Sequence, residues 1–462
     1  RSMNSLNPND IASVTVLKDA ATAAIYGVKA ANGVILVPTK TGTEGSINII
    51  YDGSVSFDTN TVTPDLLNAE EYIYWHNKAR EMDGQAPYWT EERIASLKER
   101  GLYGETDNWH LLYKDFGLTQ QHTVTATGGT DKMHYYTSIG YLGQDGIMRN
   151  TSYERFNVRA NITANLAKGL KYNINMSAAN ANRNWPGLSM RDSSSGWQGE
   201  FSPLRQACYA IPILKSTYEG LPLGFTNGTY TYTPEAANNT GFQQTDQWMA
   251  DIRSTLEHDF SESGLGFIKG LTAGINFAYN LDYTLNRNYL ESFELYSYDA
   301  NTDLVTKKVS LGIAENNFNK SHSVGYNATI RPQLTYDRDF GKSHVSGILL
   351  AERYTYHGDT MTGLKSGYTD GSPIDISMGM KDSSSPVSGS YSNAGSFSIA
   401  GRLGYAYDKK YLAEFTFRED ASYKFSPENR WGFFPSVALG WVISNEDWMQ
   451  DIYWLDHLKL RT

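Results

Sequence analysis

The chain has 462 residues, 40% of them hydrophobic, with a mean hydropathy of −0.47 and a formal net charge of −10. It contains no run near the roughly 18 apolar residues of a membrane-spanning helix, and its acidity argues against nucleic acid as a partner. A single cysteine, Cys208, rules out an intramolecular disulfide and a zinc ribbon.

In chain order, Asn7-Pro8-Asn9-Asp10-Ile11 opens a strand–helix–strand pattern. Val14 to Leu17 reads as a strand, Lys18 to Tyr26 as a short Ala-rich helix stopped by Gly27, Ala30 to Gly33 as a turn, and Val34 to Val37 as a second strand. By composition alone this is a small α/β fragment. The segment "NPNDIASVTVLKDAATAAIYGVKAANGVILVPTKTG" resembles the end of the plug domain of TonB-dependent outer-membrane transporters, in the form found in the SusC/RagA branch of Bacteroidetes. Asn7, Pro8, Asp10, Leu17, Lys18, Asp19, Tyr26, Gly27, Asn32 and Gly33 carry that resemblance. Two departures are Val28-Lys29, where the branch usually has a Ser-Arg-like pair, and Pro38 in place of Thr, which favours an edge position. The resemblance implies that residues 1–45 are the C-terminal part of a plug and residues 46–462 the N-terminal part of its barrel.

The barrel reading also stands on periodicity. Leu271, Ala273, Ile275, Phe277, Tyr279, Leu281, Tyr283 and Leu285 alternate with Thr272, Gly274, Asn276, Ala278, Asn280, Asp282 and Thr284. That period belongs to a β-strand, and the run exceeds the roughly 9–11 residues that cross a bilayer at a tilt. The same alternation marks strands at 47–57, 121–127, 133–142, 156–166, 172–178, 248–256, 324–336, 345–354, 397–407, 411–417 and 433–441. The total is about twelve, against about 22 in a complete plugged barrel. The polar face is rich in Asn, Thr, Ser and Gly, which suits a crowded lumen better than the Lys/Glu surface of a soluble sandwich. With 32 Tyr and 10 Trp, the composition also fits interfacial aromatic girdles. The fold class expected is therefore all-β: a transmembrane antiparallel β-barrel with an internal α/β plug, only the plug's C-terminal end being present.

Connections alternate between short (128–131, 167–169, 261–266, 339–343, 408–410) and long (58–119, 184–245, 287–321, 358–394), the pattern of short periplasmic turns and long external loops. In the first long insertion, Asn68 with Glu71 predicts a capped helix running to Met82, and Thr90 caps a second at 91–100. Residues 445–456 read as a short amphipathic helix. The stretches "FREDASYKFSPENRWGFFPSVALGW" and "WLDHLKLR" resemble the barrel signature of the same SusC-like branch. No signal peptide opens the chain, and its last residues look like a strand beginning, so both ends suggest a piece of a longer protein.

No H-E-x-x-H, G-x-S-x-G, Walker or EF-hand pattern is present, and no catalytic, metal-binding or cofactor-binding set emerges. Glu70-Glu71 and Glu91-Glu92 read as helix starts. Trp185, Trp197, Tyr209, Tyr218, Tyr230 and Tyr232 suit packing of the loop on itself or stacking on sugar rings. Trp185, Trp197, Tyr218, Tyr230 and Tyr232 are the candidate substrate-binding set. The resemblance implies import of glycan or peptide oligomers across the outer membrane. It also implies three partners: a SusD-like lipoprotein lid, the TonB–ExbB–ExbD complex and outer-membrane lipid. A β-rich adhesin and an unplugged porin are the rival classes, and a plug sequence at 1–45 argues against both.

Overall fold

The computed structural model describes residues 6–17, 33–187, 203–227, 230–237, 240–261, 268–299, 301–309, 315–369, 371, 373–380, 386–449 and 454–462. Two short strands come first, β1 (Thr15–Leu17) and β2 (Val34–Leu36). The first wall strands are β3 (Gly45–Asp58), β4 (Gly117–Gly129), β5 (Met133–Asp145), β6 (Ser152–Ala167) and β7 (Leu170–Pro186). Three small strands follow, β8 (Thr217–Tyr218), β9 (Leu221–Asn227) and β10 (Tyr230–Tyr232). After β11 (Gly241–Asp259) and β12 (Leu271–Leu290) come β13 (Glu294–Asp299) and β14 (Leu304–Val309). The remaining strands are β15 (Asn317–Phe340), β16 (Ser343–Ser366), β17 (Val387–Tyr407), β18 (Tyr411–Ser422), β19 (Trp431–Val442) and β20 (Lys459–Arg461).

Thirteen strands form one antiparallel sheet in the order β20-β19-β18-β17-β16-β15-β12-β11-β7-β6-β5-β4-β3. Each pairs with its sequence neighbour within the sheet, as in an up-and-down barrel wall. Cross-strand register separates the two faces. Val124, Ile139, Val158, Ala178, Ala250 and Leu281 form one continuous row. One residue along, Thr125, Ser138, Arg159, Ser177, Asp251 and Asn280 form the next. The apolar rows point outward and are exposed: Ile139 is 54% accessible and Phe277 42%, whereas inward-facing Thr123 and Ser138 are 0% and 2%. This inverts the soluble rule and is the arrangement lipid imposes.

The strands are tilted. The row that passes Tyr135, two residues from the short-turn end of β5, continues through Ile162, Ile174, Ser254 and Phe277. It reaches Ile330 and Arg353, each ten residues from the short-turn ends of β15 and β16. A steady climb of this kind is the stagger that closing a barrel requires.

At the opposite rim, three long loops fold together. The capping box at Asn68 forms as its sequence predicts: Glu71 N donates to Asn68 Oδ1 (2.9 Å) and Asn68 N to Glu71 Oε2 (3.1 Å), starting the helix Ala69–Met82. Thr90 caps the helix Glu91–Glu99. Between them Asn77 grips the chain, accepting from Tyr88 N (3.0 Å) and Trp89 N (2.9 Å) and donating to Trp89 O (2.8 Å). The second loop joins through Gly104 N to Ile213 O (3.0 Å) and Lys215 N to Leu102 O (3.0 Å). The third joins through a parallel pairing of β13 with β9 and through Arg93 and Arg100 on Asp303 (3.7 and 3.5 Å). Leu97, Leu102, Ile213, Leu214, Leu223 and Tyr298 form the shared core. The insertion at 58–119 is thus one side of a packed subdomain and more than an exposed loop with local helices.

The helix expected at 445–456 does not form in its described part. Ile443–Asn445 and Asp447–Met449 are single 3-10 turns. Glu446 accepts from the Tyr411 hydroxyl (2.7 Å) and Trp441 Nε1 (3.0 Å), and Lys410 reaches both Glu446 (3.3 Å) and Asp447 (3.0 Å). These ties to the 408–411 turn hold the segment against the rim and leave no free helical run.

Leu97 is fully buried where two loops meet, so Leu97→Ala should cost about 2–5 kcal/mol of the subdomain's local stability. The expected readout is protease nicking near residues 83–90 at lower denaturant, with the unfolding transition of the wall unchanged. Equal shifts in both would show that loops and wall unfold as one unit.

Candidate functional site

Residues 6–17 and 33–44 lie against the inward face of the sheet. Asn7 caps a 3-10 turn at Pro8–Asp10, accepting from Asn9 N (3.1 Å), with Pro8 at the first position, where its missing N–H costs nothing. The chain then pairs with its return strand through β1–β2, with Leu17 opposite Val34, and through Ala12 N to Pro38 O (2.9 Å) and Lys40 N to Asp10 O (2.8 Å). Pro38 falls beyond β2, so its missing donor interrupts no ladder. Gly33 enters β2 at φ +94°, and a Cβ there would stand 3.0 Å from the Leu17 carbonyl oxygen.

The motif is fastened to the wall by its polar side chains. Asp10 is 1% exposed. Its carboxylate accepts from the Ser138 hydroxyl (2.6 Å), the Tyr136 hydroxyl (2.9 Å) and Arg159 Nε (3.0 Å). Asn7 donates to Thr123 Oγ1 (3.2 Å) and accepts from Gln121 Nε2 (3.3 Å). On the return strand, Asn161 Nδ2 donates to Lys40 O (2.6 Å) and Thr39 Oγ1 (3.2 Å). Gly140 makes the approach possible, since a Cβ on it would come within 2.7 Å of Asn7 Nδ2. Sequence reasoning missed these wall residues. The one signal available was Gly140, since a glycine inside a strand often marks close approach of another backbone.

Of the motif residues, Asn7, Pro8, Asp10, Leu17 and Gly33 are placed here, whereas Lys18, Asp19, Tyr26, Gly27 and Asn32 lie outside the described residues. Tyr218 and Tyr232 do not converge on Trp185. Tyr232, 3% exposed, stacks on Tyr209 at 5.5 Å, with Arg205 against both rings. Tyr218 meets Tyr296 edge-on at 5.1 Å and packs on the loop core. Tyr230 pairs with Asn227 in the β9–β10 hairpin, and Trp197 lies outside the described residues. Trp185 faces the lumen. It borders a cavity of about 850 Å³ floored by Leu6, Pro8 and Ile11 and walled by Gln121, Arg155 and Arg183. A second lumen cavity of about 790 Å³ separates β2 from the polar wall at Asp251, Asn280 and Asn327.

A third cavity, also about 790 Å³, lies in the loop subdomain beside Asp65, Asp107, His110 and Tyr209. There His110 sits between Asp107 (2.5 Å) and Asp115 (3.0 Å). The hydrogen bond to Asp107, and then that to Asp115, hold its imidazole above the usual histidine range.

No family model matches the chain. It is 27% identical to the TonB-dependent receptor SusC of Bacteroides thetaiotaomicron, over 99% of this chain and 43% of that protein. It is also 27% identical to the TonB-dependent receptor P3 of Formosa agariphila, over 96% of this chain and 40% of that protein. Its fold matches a structure of the RagAB peptide importer in the closed-closed state with a TM-score of 0.77 at 21% identity, covering 99% of this chain and 51% of that one. The fold is therefore that of part of a plugged transmembrane barrel. Over almost its whole length the chain is similar to TonB-dependent receptors of the SusC type, and it spans less than half the length of the curated relatives it matches.

Two outcomes follow. Asp10→Ala leaves the Arg159 guanidinium buried without its carboxylate, a loss of about 3–5 kcal/mol for an ion pair broken on one side. Amide exchange over residues 6–17 should accelerate by orders of magnitude, and unchanged exchange would show that Asp10 is not the fastening point. For His110, the folded pKa lies above the unfolded one, so its pairing stabilises the loop below pH ~6.5 and that contribution is lost as pH rises through the folded pKa. Exchange over residues 107–115 should therefore quicken, beyond the intrinsic rate, as pH rises above about 6.5 through the folded pKa, and His110→Gln should abolish the excess.

Proposed function

We propose that the protein containing this chain imports an oligomeric nutrient across the bacterial outer membrane, driven by TonB, with oligosaccharide as the favoured cargo. The observation that carries the reading is the Asp10–Arg159–Ser138–Tyr136 cluster, which fixes a plug-like segment to the inner face of a sheet whose outer face is apolar. A stopper held, among the described residues, by hydrogen bonds and the Asp10–Arg159 ion pair can be displaced by force without covalent chemistry, so in this reading the protein acts as a gated passage and not as an enzyme. In this reading residues 1–45 are plug and 46–462 barrel, the short turns face the periplasm, and the loop subdomain faces outward. The subdomain is the surface a SusD-like lipoprotein lid would cover. TonB–ExbB–ExbD would act on plug residues from the periplasmic side.

Glycan is favoured by the character of the lumen. Thr245 Oγ1 to Asn286 Oδ1 (2.9 Å), Thr362 Oγ1 to Ser321 Oγ (3.0 Å) and Ser323 beside Thr360 (2.9 Å) form ladders of neutral donors and acceptors that match sugar hydroxyls. The peptide alternative draws on the fold likeness to the RagAB peptide importer.

The test is uptake of labelled oligosaccharides and oligopeptides by cells with and without TonB. The expected result is saturable oligosaccharide uptake that vanishes without TonB. Uptake that persists points to a porin, and no uptake under any condition points to an adhesin. TonB-dependent uptake of peptides alone would replace the cargo and keep the mechanism.

A further inference from the structure

The lumen cavity above the plug tail has a charge bias that import of a neutral oligomer does not require. On its wall Tyr153 stands directly across from Arg183, and Arg155 lies opposite Ala181, diagonal to Arg183. Two guanidinium-bearing residues therefore share one patch of the wall. Among the described residues lining this cavity there is no Asp or Glu. Three inward-facing arginines elsewhere are held by carboxylates, Arg159 by Asp10 at 3.0 Å, Arg418 by Asp420 at 2.8 Å and Arg331 by Glu352 at 4.0 Å. Arg183 instead lies 5.7 Å from the centroid of the Trp185 ring, and both side chains are open to the lumen. In a chain of net charge −10, this is a local reversal of sign.

We propose that this cavity receives an acidic sugar unit. The pyranose face lies on the Trp185 indole, and its carboxylate or sulfate is taken by the Arg183 guanidinium. A planar guanidinium matches a two-oxygen anion with paired hydrogen bonds, and an indole face suits the C–H face of a sugar. Gln121 and Gln144, on the same wall, offer amides to the neighbouring hydroxyls. This assignment rests on the import reading and narrows its cargo to acidic oligosaccharides.

Binding to the full-length protein in detergent tests it. The probes are oligogalacturonate, oligoglucuronate and sulfated galactan fragments, each paired with its carboxyl-reduced or desulfated form, and a penta-glutamate peptide. At least one acidic sugar should bind about tenfold or more tighter than its neutral counterpart, a charge-assisted hydrogen-bond increment. Arg183→Gln should erase that ratio, and Arg183→Lys should retain part of it. On the unaltered protein the ratio should shrink as salt rises from about 0.05 to about 0.5 M, a readout that needs no variant. Equal affinity for charged and neutral sugars, no sugar binding, or an Arg183-dependent preference for penta-glutamate alone would each overturn the proposal. TonB-dependent uptake indifferent to substrate charge would end this inference and leave import standing. Uptake without TonB would count against the TonB-driven import reading itself.

Discussion

The structure depends on one constraint: a wall surrounded by lipid must satisfy every backbone N–H and C=O through its neighbours and must turn its oily side chains outward. Antiparallel pairing through thirteen strands meets the first demand, and period-two alternation meets the second. The lumen then inherits the polar side chains, and a crowded polar lumen is what allows a plug to be held by hydrogen bonds. Asn7 and Asp10 find partners on β4, β5 and β6 because Thr123, Tyr136, Ser138 and Arg159 all project to the same side. The fastening of the plug is thus a consequence of the same pattern that makes the wall lipid-compatible.

Among the described residues, the plug tail is tied to β4–β6, while a polar cavity lies between β2 and the wall at β11, β12 and β15. Buried charge at Asp10–Arg159 is a strong specifier of position, because losing either partner strands the other. Neutral contacts such as Asn161 to Lys40 O are individually weaker and help set register.

Alternation made the wall strands legible in the sequence, but only where lipid lies outside. Strand β16 is recognisable at 345–354, yet it runs on to Ser366, and β15 extends from Asn317 although its pattern is clear only from 324. Beyond the bilayer both faces are wet, so the apolar–polar signal fades while the hydrogen-bond ladder continues. The loop subdomain was half legible. Its helices announce themselves through Asn68, Glu71 and Thr90, but the union of Leu97, Ile213 and Tyr298 is a tertiary fact with no local signature. At the candidate site, the plug motif could be read from its resemblance, whereas its wall partners look like any other lumen Thr, Ser or Arg. The loop aromatics show the limit of composition: Tyr218 and Tyr232 pack within the subdomain, whereas Trp185 meets the lumen.

The central claim is that alternate side chains of each wall strand touch lipid and water. Single cysteines placed in turn from residue 272 to residue 284 of β12 in the full-length protein with its native cysteines, Cys208 included, replaced by serine, reconstituted in bilayers, test it most directly. The account predicts that a bilayer-confined quencher reaches labels at 273, 275, 277, 279 and 281, while a water-soluble reagent reaches those at 274, 276, 278, 280 and 282. Water-soluble access to the first set, with the second sealed, would turn the wall inside out and contradict the account.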